Sequence, residues 1–219
     1  MKATPSQRVE EVAAGAPDVP GNVPGNHYDK YGSRNPIERL LVRRFLARFV
    51  ELSARTGVRD AFEVGCGEGV LALELLRRGW SVRGADLEES VVAEANAAAD
   101  REGYGRPFAT IDLHALDPAQ AAAGLIVCCE VLEHVPDPRA ALDVLVRLAR
   151  PWLLVSVPRE PLWRALNLAR GKYLRELGNT PGHLQHWSAR GFRRLLAEFT
   201  DVVAVAHPLP WTMLLCRKR

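Results

Sequence analysis

The sequence predicts an α/β domain with a mostly parallel sheet and helices on both faces. Three observations support this. Short apolar runs between residues 61 and 157 alternate with helical stretches of roughly 10–15 residues, the signature of βαβ units. A glycine loop, Glu63-Val64-Gly65-Cys66-Gly67-Glu68-Gly69, stands where the first run ends and a helix begins. Asp86 closes the second run.

The elements follow in order. Asn35-Pro36-Ile37-Glu38 opens a helix, with Asn as cap, Pro in the first turn and Glu three residues after the cap. Ile37, Leu40, Leu41, Phe45, Leu46, Phe49 and Val50 continue it at helical spacing, and Gly57 ends it. Ala61–Gly65 is the first strand, and a helix over Val70–Arg78 is closed by Gly79. Ser81–Ala85 is the second strand, followed by an Ala-rich helix over Glu89–Glu102. Pro107–Ile111 is a third, weak strand, and Pro118–Ala123 a short helix. Gly124–Cys129 is the fourth strand, Asp137-Pro138 opens a helix to about Arg150, and Trp152–Val157 is the fifth strand. The pattern then breaks, and residues 159–186 read as an insertion. Ser188 caps a helix through Phe199. Val202–Ala206 and Thr212–Cys216 form a hairpin at the sheet edge, joined by His207-Pro208-Leu209-Pro210.

Length and composition set the frame. The chain has 219 residues, 47% hydrophobic and 25% charged, ordinary for one packed domain and contrary to a mainly disordered chain. No apolar run approaches the ~20 residues that span a bilayer. The first 22 residues contain acids and prolines without an apolar core, unlike a secretory signal. Residues 1–26 read as a loose tail before a domain over 27–219. Cys66, Cys128, Cys129 and Cys216 make no CxxC pair, so reduced thiols and a cytoplasmic location are expected. The oligomeric state is not legible.

The net charge is only +3, but it is unevenly spread. Residues 56–138 hold six basic and fifteen acidic residues, a net of −9. Residues 139–219 hold fourteen and five, a net of +9. Two halves facing different ligands are the expectation.

The glycine loop lets backbone approach a ligand closely, and the helix start offers amides to a polar or anionic group. A dinucleotide fingerprint needs a third glycine where this chain has Val70. Glu68 also sets a carboxylate in the loop, which opposes a pyrophosphate and tolerates an ammonium and a sulfonium. Asp86 can accept hydrogen bonds from both hydroxyls of a ribose.

These residues resemble class I S-adenosylmethionine-dependent methyltransferases, strongly over residues 60–157 and more loosely in the C-terminal hairpin. Four stretches match that family's motifs in order: Glu63 to Gly69, Asp86-Leu87, Asp112-Leu113, and Cys128-Cys129-Glu130-Val131-Leu132-Glu133-His134-Val135. The resemblance implies a Rossmann-like, seven-stranded sheet with one antiparallel strand, an N-terminal helical extension and a lid after strand five. It implies S-adenosyl-L-methionine as cofactor, held by Glu63, Gly65, Cys66, Gly67, Gly69 and Cys129. Asp86 would take the ribose, Leu87 would pack on the adenine, and Asp112 and Leu113 would meet its edge. Arg34, just before the first helix, would meet the methionine carboxylate, and Tyr28 or Tyr31 would line the acceptor pocket.

Glu130, Glu133 and His134 fall at the C-terminal end of the fourth strand, where ligands gather in open α/β sheets. Two carboxylates and an imidazole can bind Mg²⁺ or Mn²⁺, and the imidazole can instead act as general base. The E-x-x-E-H spacing resembles ubiquinone-biosynthesis O-methyltransferases and small-RNA 2′-O-methyltransferases. The latter use both glutamates and the histidine as metal ligands, with a second histidine further on. In His183-Leu184-Gln185-His186-Trp187-Ser188, His183 fits that place best. Structural roles for Glu133 and His134, orienting the loop, remain the alternative at this stage.

The insertion, about 158–187, combines Arg159, Arg164, Arg170, Lys172 and Arg175 with Leu162, Trp163, Leu166, Leu168, Tyr173 and Leu174. It reads as an amphipathic lid whose bases suit an anionic acceptor. The expected reaction is methylation of a hydroxyl on a small metabolite, lipid or sugar, with His134 or His183 taking the proton. A 2′-O-methyltransferase of an RNA end is the second reading, less favoured because no separate nucleic-acid module is visible. A cofactor-binding regulator without catalysis is the third.

Overall fold

The computed structural model describes residues 35–219. The expectations for the tail 1–26, and for Tyr28, Tyr31 and Arg34, fall outside the described residues.

Seven strands form one sheet in the order β3-β2-β1-β4-β5-β7-β6. They are β1 (Asp60–Val64), β2 (Ser81–Asp86), β3 (Phe108–Thr110), β4 (Ala123–Cys129), β5 (Ala149–Pro158), β6 (Thr200–Ala206) and β7 (Trp211–Lys218). Pairing is parallel from β3 through β5, and β7 runs antiparallel to both β5 and β6. The helices are α1 (Pro36–Ala54), α2 (Val70–Leu76), α3 (Glu89–Arg101), α4 (Pro118–Ala121), α5 (Pro138–Leu148), α6 (Leu162–Ala169) and α7 (Ala189–Phe199).

Every residue of β4 is buried, because helices cover both faces of the sheet. Its side chains alternate between two cores. Leu125 and Val127 join Phe45, Phe49 and Leu75 on the face covered by α1, α2 and α3. Ile126 and Cys128 join Leu142, Leu145, Phe192 and Leu196 under α5 and α7. Strand order reverses between β1 and β4, and ligands bind at the C-terminal ends of strands beside such a switch point.

Caps fix the helix starts. Asn35 accepts the Ile37 amide, and Asp137 accepts both the Arg139 and Ala140 amides, each cap worth about 1 kcal/mol. On α3 the buried Asn96 reaches the edge strand β3, donating to the Phe108 carbonyl and accepting its amide.

The largest departure from the sequence reading lies after β5. That strand begins at Ala149, three residues before the expected Trp152. The insertion contains a true helix, α6, whose apolar side packs Trp163 against the first core. Helix α2 stops at Leu76, earlier than Arg78, while Gly79 turns left-handed at φ +76°.

Candidate active site

The glycine loop leaves β1 against the end of β2. The amides of Gly65 and Cys66 both donate to the Ala85 carbonyl, and the Gly67 amide donates to Asp86 Oδ2 at 2.8 Å. Asp86 Oδ1 accepts the Glu88 amide, so this carboxylate joins the loop to the start of α3. Glu63 is buried, and its Oε2 accepts the Ala72 amide in the first turn of α2. One carboxylate therefore anchors the loop's middle and another the helix that follows it.

Two glycines are dictated by geometry. Gly65 has φ +71°, and a Cβ there would lie 2.3 Å from Val131 Cγ2. The loop is thus pressed onto the segment that follows β4. Gly67 has φ +50° and open space where its Cβ would be.

The local potential is negative. Burial, with Glu63 and Asp86 beside it, pushes the Cys66 thiol far above its ordinary range. Burial does the same to Cys128 and lifts Cys216 to about 11. None of the four cysteines is in a disulfide, and all are buried. Leu87 projects an exposed apolar side chain beside Asp86. Asp112 is exposed and caps the 3₁₀ turn Leu113–Ala115 through the His114 amide, while Leu113 lies half-buried on the second core. Cys129 ends β4, next to Glu130.

The four groups read as metal ligands do not all converge. Glu133, His134 and His183 each bring one ligand atom within 4.8 Å of the others'. Glu130 stands outside that group. Its backbone is left-handed, at φ +61°, and its Oε1 accepts the Ser156 hydroxyl of β5 at 2.8 Å. Non-glycine residues in that region are strained, and such strain collects at functional sites.

The histidines are tightly held. His134 Nδ1 lies 3.0 Å from the Gly182 carbonyl, which can only accept, so Nδ1 bears the proton. Nε2 is then the unprotonated ring nitrogen of the neutral imidazole. The rings of His134 and His183 meet edge to face, with centroids 4.9 Å apart. The Glu133 carbonyl accepts the amides of Leu184 and Gln185, tying the His183 loop to the end of β4. His186, the nearby alternative, turns instead to Asn179.

Sequence reasoning did not give Ser156, Thr180, Gly182 or Trp211 a place here. Trp163, which packs on the first core, also stacks on His183 at 6.1 Å and leans on Trp211, which meets Phe45 edge-on at 5.0 Å. A row of rings therefore runs from α1 to the end of β4. The pairings of Ser156 with Glu130, Gly182 with His134 and Thr180 with Trp163 span 26, 48 and 17 residues, and no local spacing reports them. Two of the lid's five bases hold the lid in place: Arg164 Nε donates to the Leu177 carbonyl within it, and Arg170 reaches Asn167 within it and Glu38 on α1.

The strand order, the glycine loop and an acid at the end of β2 define a class I S-adenosylmethionine-dependent methyltransferase. Residues 36–199 match the family described as the methyltransferase domain, and the chain belongs to that family. Among curated relatives, it is 25% identical over 194 residues to a ubiquinone biosynthesis O-methyltransferase of Coxiella burnetii, covering 81% of this chain and 80% of that protein. It is 32% identical to a protein of the same name from Methylococcus capsulatus, over 48% of this chain and only 44% of that one. The fold also matches magnesium protoporphyrin IX methyltransferase from Synechocystis PCC 6803, solved with bound S-adenosylhomocysteine. There the TM-score is 0.65 and the identity 21%, over 86% of this chain and 90% of that one. Among the described residues, no helix is long and apolar enough to cross a membrane.

Proposed function

We propose that this methyltransferase acts on a hydroxyl oxygen of a small molecule, and that Glu133, His134 and His183 form the reacting end of its site. The observation that supports this most is the convergence of those three side chains within 4.8 Å at the end of β4, beside the glycine loop. The name shared by the Coxiella and Methylococcus relatives points the same way.

In this reading the loop Gly65–Gly69 carries the cofactor's amino-acid end, and Glu63, Cys66 and Cys129 shape its wall. Asp86 accepts the ribose hydroxyls, while Leu87, Asp112 and Leu113 surround the adenine. The acceptor oxygen attacks the methyl carbon in line with sulfur. An O–C bond forms, the C–S bond breaks, and its electron pair stays on sulfur as a neutral thioether. The hydroxyl proton passes to an imidazole, for which His134 Nε2 is suited because Nδ1 is already committed to Gly182. Most of the rate gain comes from holding the oxygen, carbon and sulfur collinear.

The donor set also suits a divalent metal. One carboxylate and two imidazoles would supply oxygen and nitrogen donors, and His134 has the kind of outer hydrogen bond that orients such ligands. Glu133, His134 and His183 would hold Mg²⁺ or Mn²⁺. When bound, the metal would lower the pKa of a coordinated hydroxyl and fix its oxygen. The net positive C-terminal half would then favour an acceptor that also bears an acidic group.

The test is an acceptor panel of phenols, catechols, aliphatic alcohols, amines and thiols, run with Mn²⁺ and with chelator. Turnover on hydroxyl acceptors, lost in His134→Ala, is the expected result. Turnover confined to amines, or full activity in His134→Ala, would overturn the assignment.

A further inference from the structure

We infer that Thr180 is a positioning residue that sets the ring of His183, with Trp163 and Asn167 as its arms. The inference deepens the proposed function and rests on its use of His183. The Thr180 hydroxyl accepts two hydrogen bonds, from Trp163 Nε1 at 2.9 Å and from Asn167 Nδ2 at 3.2 Å. Its backbone carbonyl accepts the His183 amide at 3.1 Å. One residue therefore grips α6 with its side chain and His183 with its main chain.

The grip is closed on every side. Asn167 is 1% exposed. Its amide also donates to the Gly178 carbonyl, and its oxygen accepts from Arg170, which extends to Glu38 on α1. Gly178 has φ +79°, and a Cβ there would lie 2.4 Å from the Arg164 carbonyl, so the loop lies directly on α6. Trp163, fixed in rotation by its bond to Thr180, presents its face to the His183 ring with an interplanar angle of 25°. On the other side, His134 and the Glu133 carbonyl hold Gly182, Leu184 and Gln185. His183 is thus clamped between α6 and the end of β4, and the Thr180 hydroxyl is the knot on the α6 side.

A valine has nearly the shape of threonine but cannot accept a hydrogen bond. Thr180→Val would take the acceptor from Trp163 Nε1 and one of the two acceptors from Asn167 Nδ2, and Trp163 would lose the contact that sets its rotation. Serine keeps the hydroxyl. Groups that orient metal-binding histidines typically change metal affinity by about tenfold or more when removed.

The experiment titrates Mn²⁺ alone and S-adenosylhomocysteine into each variant by calorimetry, and follows the His183 ring by ¹³C–¹H NMR, assigned with His183→Ala. In Thr180→Val the His183 resonance should move as the ring current of Trp163 shifts, and Mn²⁺ should bind about tenfold more weakly. S-adenosylhomocysteine affinity should be unchanged, and Thr180→Ser should resemble the parent. An unmoved His183 resonance in Thr180→Val would overturn the inference. So would a parallel loss of S-adenosylhomocysteine affinity, which would mean general loosening, or a Thr180→Ser variant that behaves like Thr180→Val. If the parent binds no Mn²⁺, the metal reading fails while the resonance still tests the positioning.

Discussion

Asp86 and Gly67 are joined by a hydrogen bond of 2.8 Å, from the loop amide to the carboxylate that ends β2. With the Glu88 amide on its other oxygen, Asp86 fixes the loop before any ligand arrives. The proposed ribose acid is therefore also the anchor of the loop that would hold the cofactor's other end.

Removing it should be felt twice. Asp86→Ala loses charge-assisted bonds to the loop and to the cofactor, so S-adenosylhomocysteine should bind about ten- to hundredfold more weakly. The thermal midpoint should fall as well. Asp86→Asn keeps an oxygen for one amide and should retain more of the stability than of the affinity. Unchanged affinity in Asp86→Ala, measured by calorimetry, would remove the ribose assignment.

The contrast between what the sequence disclosed and what it hid follows from distance along the chain. Asn35, Asp137 and Ser188 cap their helices through bonds spanning two or three residues, so each start was legible. Gly65, Gly67 and Gly69 announced a sharp backbone turn, and all three adopt positive φ, which few other residues tolerate. Helix α6 was hidden because eight residues, Leu162–Ala169, are too few for a clear period among flanking Arg, Gly and Pro. The approach of His183 to His134 depends on a loop crossing 48 residues later, at Gly182. Spacing alone placed Glu130 with Glu133 and His134. Its left-handed backbone and the Ser156 hydroxyl direct its carboxylate to β5 instead.

Asn96 is a stability prediction independent of the chemistry. Edge strands expose backbone groups, and on β3 the Asn96 amide satisfies both the N–H and the C=O of Phe108. Asn96→Leu has a similar volume but pairs with neither. Two buried backbone groups would lose their partners, at a cost of about 3 kcal/mol. Urea denaturation should show that loss with an unchanged slope, and faster hydrogen exchange at the Phe108 amide. A loss near zero would mean that water or a shifted strand replaces the side chain.

Glu160 offers a test with pH as the variable. It follows β5, and burial raises its pKa above the ordinary 4.5, outweighing the opposing pull of the Arg164 amide, His186 and the Arg164 charge. Its Oε2 accepts the Arg164 amide at 3.3 Å, while its buried Oε1 has no hydrogen-bond partner among the described residues. The folded protein therefore holds this proton more tightly than the unfolded chain does. The associated stability is fully present below the unfolded carboxyl's pKa, and it is lost as pH rises through the higher folded value. Ionised Glu160 is thus a liability at neutral pH, where a neutral amide is not. Glu160→Gln should raise the thermal midpoint at pH 8 and lose that advantage as pH falls toward 4. A gap that stays constant with pH, or that favours the parent at pH 8, would show that the carboxylate is compensated by charge and not penalised by burial.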